Sequence, residues 1–278
     1  MKREHIVTVE EDSRHLRSLL EELLFNVPNK GIRRAIQRGQ ITVNNTRVSS
    51  NHKVNQGDRI SIHIQTMTKK HIGIDVPILQ EDDHYAIINK PAGLAVSGGR
   101  GATVSTALPH VLIPSMASDA LAMARTVHRL DKPTSGLLLV AKTKSALANL
   151  SKQFEAQSIE KTYTAIVHGR VENAGKIDIE LAEKVALTYY TPLKRIVPFK
   201  GNCTVVDLTP KTGRTHQLRK HMAYIGHPII GDRKYGKNIS ENYQELMLCA
   251  TKLIFEHPQS NEVVECEIAP PKSFFNIT

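Results

Sequence analysis

Cysteine is scarce in this 278-residue chain: Cys203, Cys249 and Cys266 are widely spaced and outside any CxxC pattern. An odd count without paired spacing argues against a disulfide framework or a zinc knuckle, and leaves inert thiols in a core or strand. No long uncharged apolar run occurs, so no segment reaches the length of a membrane-spanning helix. The opening stretch, MKREHIVTVEEDSRHLR, carries charge of both signs and lacks the apolar stretch of a secretory signal. A cytoplasmic location is therefore expected. Histidine is plentiful at 13, yet HxH and HExxH spacings are missing, so no metal is assigned. Internal repeats and low-complexity tracts are also missing.

What is present is positive charge. The formal net charge is +10 and the pI near 9.5, which favours a polyanionic partner because Lys and Arg displace counterions condensed on phosphates. The excess is uneven. Residues 1–70 hold 13 Lys/Arg against 7 Asp/Glu, and residues 71–278 hold 24 against 20. The first quarter of the chain thus carries over half of it.

Residues 13–26 place Leu16, Leu19, Leu20, Leu23 and Leu24 at steps of three and four, one apolar helix stripe. A second helix is expected from about Lys30 to Arg38, with Ile32, Ala35 and Ile36 inward and Arg33, Arg34 and Arg38 toward solvent. Strands follow at Ile41–Val43 and, after the Gly57-Asp58 turn, at the alternation Ile60, Ile62, Ile64. The run IRRAIQRGQITVNNTRV followed by KVNQGDRI resembles the small RNA-binding module named after a ribosomal small-subunit protein, here the S-four-like module. That resemblance implies RNA contacts from Lys30, Arg33, Arg34 and Arg38. A solvated basic helix with no ligand is the plainer alternative. The expected organisation is an RNA-binding module at 1–66, a linker at 67–73, and a catalytic domain at 74–278.

From Ile74 onward, strand-like runs at 85–89, 137–141, 162–167 and 204–208 interleave with helical stretches at 145–157 and around Leu218, Met222 and Ile225. The expected fold class is α+β: a mixed or antiparallel sheet with a small N-terminal α/β module.

Chemistry concentrates in three segments. Asn89-Lys90-Pro91-Ala92-Gly93-Leu94 runs from a strand into a turn. His128-Arg129-Leu130-Asp131-Lys132-Pro133-Thr134-Ser135-Gly136 is a polar run just ahead of an apolar strand. Thr212-Gly213-Arg214-Thr215-His216-Gln217-Leu218-Arg219 leads into a helix and then to Gly226-His227-Pro228-Ile229-Ile230-Gly231-Asp232. By physics alone Asp131 reads as a surface ion pair, Tyr163 as a core strand tyrosine and Arg219 as a solvated helix arginine.

Together, in this order and with Lys161-Thr162-Tyr163-Thr164-Ala165 between them, these segments resemble the RluA-type pseudouridine synthase family over about 74–278. The resemblance implies uridine-to-pseudouridine isomerisation in structured RNA, ribosomal RNA first and transfer RNA second, with no cofactor. It makes Asp131 the nucleophile, Tyr163 the ring against the target base and Arg219 the bidentate partner of the Asp131 carboxylate. The Tyr163 hydroxyl is a candidate for removing the proton from carbon 5. Lys90 and Thr134 are expected to contact RNA, and Arg129 and His216 to contact phosphate or position the loop. One rival is a noncatalytic RNA-binding or ribosome-assembly factor. A glycosidase is a second, but it needs another acid beside Asp131, and the motifs assign none.

Overall fold

The computed structural model describes residues 3–23, 29–62, 75–98, 101–196, 203–236 and 245–275, without the side chains of 3, 29–31, 34 and 194–196. The chain divides into two compact units, Met1–Gly73 with Leu121–Met123, and Ile74–Ala120 with Ala124–Thr278.

The first unit contains β1 (Arg3–Ile6), α1 (Leu16–Leu23), α2 (Asn29–Gln37), β2 (Ile41–Val43), β3 (Thr46–Arg47) and β4 (Arg59–Ile62). The leucine stripe forms as expected. Leu16, Leu19 and Leu20 are buried against Ile32, Ala35 and Ile36 of α2 and Ile41, Val43 and Ile60 of the sheet. Arg17, on the outer face of α1, pairs with Glu21 one turn on at 2.8 Å. The sheet order is β1-β4-β2-β3. Sequence patterning gives no sign of β1, because Arg3-Glu4-His5-Ile6 has no apolar alternation; it is an edge strand held by pairing with β4. Leu24, Ile64 and the expected linker at 67–73 lie outside the described residues.

The second unit runs β5 (Ile78–Glu81), β6 (Tyr85–Lys90), α3 (Val104–Val111), β7 (Ala120–Thr126), β8 (Ser135–Thr143), α4 (Lys144–Glu155) and β9 (Glu160–His168). It continues with β10 (Gly175–Glu180), β11 (Val185–Ile196), β12 (Cys203–Pro210), α5 (Gln217–Tyr224), β13 (Leu248–Glu256) and β14 (Val263–Glu267). Its sheet has the order β10-β11-β12-β9-β13-β8-β6-β5, with β7 beside β8 and β14 beside β13. The expected α+β class with a mixed sheet is what forms. Among the described residues every pairing of these strands is antiparallel except β8 with β13, which meet in parallel at Ser135–Cys249 and Gly136–Ala250.

That seam is tight. Gly136 has φ +107°, and a Cβ there would lie 2.2 Å from the Ala250 carbonyl oxygen, so only glycine allows β13 to approach where β8 begins. All nine residues of β8 are buried, which fits its place between β6 and β13. α4 starts where Thr143 accepts the Ala146 N–H at 3.1 Å, an N-cap bond. α5 buries Leu218 and Met222 against β9 and β12, a contribution of about 1.5–3 kcal/mol per side chain. It ends at Gly226, whose φ of +81° suits the residue after a helix C-cap. All three cysteines are free and buried. Among the described residues, no helix is long and apolar enough to cross a membrane.

Candidate active site

Asp131 sits in the loop joining β7 to β8, immediately before the buried strand. The loop exposes Arg129 and Lys132, buries Leu130 and Thr134, and leads into nine buried residues. Its first end is tied down by Val127, whose N–H donates to the Leu139 carbonyl at 3.1 Å, and by His128, whose Nε2 accepts the Leu139 N–H at 3.0 Å. The His128 ring stacks on Phe154 at 4.8 Å. Burial, then the Lys161 charge, pulls the His128 pKa down to about 3, so it works as a neutral acceptor.

The other end is held by Lys90. This lysine is fully buried, and its ammonium donates to the carbonyls of Leu94 at 2.8 Å, Pro91 at 2.9 Å and Lys132 at 3.2 Å. The Gly93 N–H adds a bond to the same Lys132 carbonyl at 2.9 Å. The geometry corrects the expectation that Lys90 contacts RNA: an ammonium with three protons committed to backbone oxygens has none left for phosphate, and its place is as a clamp between two loops. Burial lowers its pKa to about 8, against the opposing pull of Asp131.

Across the cavity, Arg219 projects from α5. The family resemblance implies a bidentate grip on Asp131. Instead the fork closes on Asp232, with Nε donating to Oδ2 at 2.7 Å and Nη2 to Oδ1 at 2.8 Å. Only Nη1 reaches Asp131, at 3.4 Å from Oδ2. The reason is desolvation. Asp232 is 1% exposed and Asp131 has a 27% exposed side chain, so the buried acid has the greater need of the guanidinium. Burial pushes the Asp232 pKa up, but the Arg219 donors, the Tyr235 and Lys234 N–H groups and the Arg219 charge prevail and hold it low. Burial likewise opposes the charge on Arg219, and the two carboxylates raise its pKa on balance.

Asp232 is placed by the preceding turn. Gly231, at φ +77°, packs so closely that a Cβ would lie 1.8 Å from the Glu245 carbonyl oxygen. The neighbouring Ile230 bonds both the Ile166 carbonyl and the Met247 N–H at 2.9 Å.

His216 has left-handed backbone, φ 56°, at the N-cap of α5. Its Nε2 lies 3.8 Å from the same Asp131 oxygen that Arg219 approaches. Gln217 is buried behind it and uses its whole amide: Oε1 accepts from Thr212 at 2.7 Å and the Arg214 N–H at 3.0 Å, while Nε2 donates to Leu187 O and Thr188 Oγ1. That network fixes the 212–217 loop onto β11.

These groups line a cavity of about 420 Å³, a size suited to a small organic ligand. Asp131, Arg129, Thr134, Tyr163, His216 and Arg219 all face it. Thr134 is buried at its wall, and Arg129 is exposed at its edge. Tyr163 lies on β9, opposite Leu208 of β12 and Ala250 of β13. Burial, then the Asp131 charge, raises the Tyr163 pKa, which keeps its hydroxyl protonated. A neutral phenol offers a ring face and an O–H donor, and is a poor base for the carbon-5 proton.

Arg33 and Arg38 are exposed on and just beyond α2, while the side chains of Lys30 and Arg34 lie outside the described residues. Sequence reasoning reaches Asp232 without giving it a role. The available signal is an arginine assigned to an enclosed site, which calls for an acid close enough to neutralise it.

A solvent-reachable carboxylate beside a guanidinium, an imidazole and an aromatic ring, in one cavity of about 420 Å³, is an arrangement suited to catalysis on a small organic group. The chain belongs to the RNA pseudouridylate synthase family, whose pattern matches residues 84–224. It is 32% identical over 308 residues to "Ribosomal large subunit pseudouridine synthase C" of Buchnera aphidicola, covering 97% of this chain and 95% of that one. It is also 32% identical over 305 residues to the protein of the same name from Vibrio parahaemolyticus, covering 96% and 93%. Among solved structures, "Human RNA Pseudouridylate Synthase Domain Containing 1" superposes with a TM-score of 0.61 at 26% identity, over 72% of this chain and 86% of that one. The protein is an RNA pseudouridine synthase.

Proposed function

We propose that this enzyme isomerises uridines in large-subunit ribosomal RNA, in the cytoplasm, with Asp131 as nucleophile. Support for the substrate comes from relatives that carry the large ribosomal subunit in their names, together with a net charge of +10. The observation that carries the reading is the convergence of Arg219 and His216 on one oxygen of Asp131, beside Tyr163, in a single cavity.

The reaction breaks the bond between N1 and the sugar carbon and forms a bond from C5 to that carbon. The C5 proton leaves and N1 gains one, so composition and redox state are unchanged. Asp131 supplies a carboxylate that bonds to the substrate and later releases it. Arg219 aims the carboxylate through one N–H, while Asp232 holds the guanidinium still. Tyr163 stacks on the base and donates its hydroxyl. Arg129, exposed on the loop, contacts the target strand, and Thr134, buried in the cavity wall, faces the bound nucleotide. The N-terminal unit adds phosphate contacts through Lys30, Arg33, Arg34 and Arg38, an S-four-like role supported by exposed arginines beside a packed helix pair.

Tritium release from carbon-5-labelled large-subunit ribosomal RNA tests the reading. Asp131→Asn keeps the shape and loses the nucleophile, so it should bind RNA and release nothing. Turnover by the pure variant would overturn it.

A further inference from the structure

Tyr235, which the mechanism above leaves unused, touches both of the groups that approach Asp131 and does not itself contact the acid. Its hydroxyl lies 2.9 Å from His216 Nδ1, and the two rings meet edge to face at 5.7 Å. The Arg219 guanidinium carbon sits 5.2 Å over its ring, and Lys234 Nζ 5.4 Å. Its own N–H donates to Asp232 Oδ1 at 3.1 Å, the oxygen that also takes Arg219 Nη2. One buried carboxylate therefore sets the guanidinium and the turn that carries the phenol.

The bond to Nδ1 has a consequence for the other ring nitrogen. In neutral histidine one nitrogen carries the proton and the other accepts, and the partner of one decides the state of the other. If the phenol donates to Nδ1, the proton is on Nε2 and points toward Asp131 Oδ2, an attractive arrangement at 3.8 Å. If Nδ1 holds the proton, a lone pair faces the carboxylate. The carboxylate oxygen 3.8 Å from Nε2 favours the first, because a proton rather than a lone pair then faces its charge. Burial lowers the His216 pKa; the Asp131 charge opposes this, while Arg219, Lys234 and Lys220 reinforce it, so the neutral ring prevails near neutral pH.

We propose that Tyr235 is a positioning residue: it donates to His216 Nδ1, fixes the tautomer with Nε2–H toward Asp131, and so makes His216 a second hydrogen-bond donor to the nucleophile beside Arg219. The present 3.8 Å is longer than a hydrogen bond, and such distances commonly close when substrate enters. This rests on Asp131 being the nucleophile.

Two measurements on the whole protein decide it. Tyr235→Phe keeps the ring beneath Arg219 and removes only the donor. With carbon-5-tritiated large-subunit ribosomal RNA, its single-turnover rate should fall about 10-fold or more, with RNA affinity unchanged within about 2-fold. His216→Asn tolerates left-handed backbone, and adding Tyr235→Phe to it should cost nothing further, because the phenol acts through the ring.

Nitrogen-15 spectra of the wild-type protein at about pH 8, where histidine is neutral, should show His216 protonated at Nε2. This readout requires no variant to fold. A wild-type rate for Tyr235→Phe, independent losses in the double variant, or a proton on Nδ1 would each overturn the proposal. Turnover by Asp131→Asn would instead overturn the reading beneath it.

Discussion

Arg219 gives two of its donors to Asp232, at 2.7 and 2.8 Å, and a single longer hydrogen bond of 3.4 Å to Asp131. On the proposed mechanism the strong pair is structural and the weak one aims the nucleophile. Removing the guanidinium therefore acts on both, which changes what Arg219→Met should do.

From sequence, Arg219→Met looks benign for folding, since methionine keeps length and helix propensity. With Asp232 1% exposed, the substitution instead leaves a buried carboxylate without its counter-charge, at a cost of about 3–5 kcal/mol. Turnover should drop at least about 100-fold, a barrier increase of roughly 3 kcal/mol. Adding Asp232→Leu should recover part of the stability and none of the turnover. Urea denaturation and tritium release on the two variants separate these effects.

Lys90 should impose an alkaline limb on activity. Its folded pKa of about 8 lies below its ordinary 10.5. Between those values the unfolded chain holds more protons, so this group's contribution to stability rises with pH across that window. Deprotonation also removes one N–H donor from the clamp on the Lys132 carbonyl. Turnover should fall as pH rises through about 8, with no matching fall in stability from this residue. A Lys90→Met variant should be slower by about 10-fold or more at neutral pH and should lack that limb.

His128 should contribute to acid sensitivity. Its folded pKa, about 3, is depressed from 6.5, so the unfolded chain binds the extra proton between those values. Stability is therefore lost as pH falls through that window. His128→Phe keeps a ring against Phe154, and it should flatten the acid slope by up to about 1.4 kcal/mol per pH unit. At neutral pH it should cost about 1–3 kcal/mol, because the Leu139 N–H loses its acceptor. Denaturation midpoints across pH check both.

Gly136→Ala should damage the seam where Asp131 is presented. The added Cβ meets the Ala250 carbonyl at 2.2 Å, on backbone already at positive φ. A loss of at least about 2 kcal/mol is expected, along with turnover, because the Asp131 loop enters β8 at this point. A normal melting temperature would show that β13 can give way.

Arg33→Ala and Arg38→Ala should weaken RNA binding and leave the bound rate intact. For every phosphate that goes unneutralised, the slope of log affinity against log salt should become shallower by about 0.7–0.9. An unchanged slope would remove these arginines from the RNA surface.

Local patterns are legible wherever a period or a compact motif encodes them. The 3.6-residue spacing of Leu16, Leu19 and Leu20 announces α1, and the apolar run 137–141 announces β8. A polar motif ahead of that run places Asp131 at a strand's entrance. β1 is not legible, because its residues carry no such alternation and it is held by the strand it pairs with.

The sequence by itself also determined which kinds of group line the cavity, since carboxylate, phenol and guanidinium each sit in a recognisable run. Only the tertiary structure decided how the charges pair. Arg219 chooses between an acid 13 residues away and one 88 residues away, and the choice turns on which of them burial deprives of water. Lys90 looks like any phosphate-binding lysine until three carbonyls, from positions 91, 94 and 132, close around it. Desolvation and the convergence of distant backbone are properties of a packed chain, and no spacing of letters carries them.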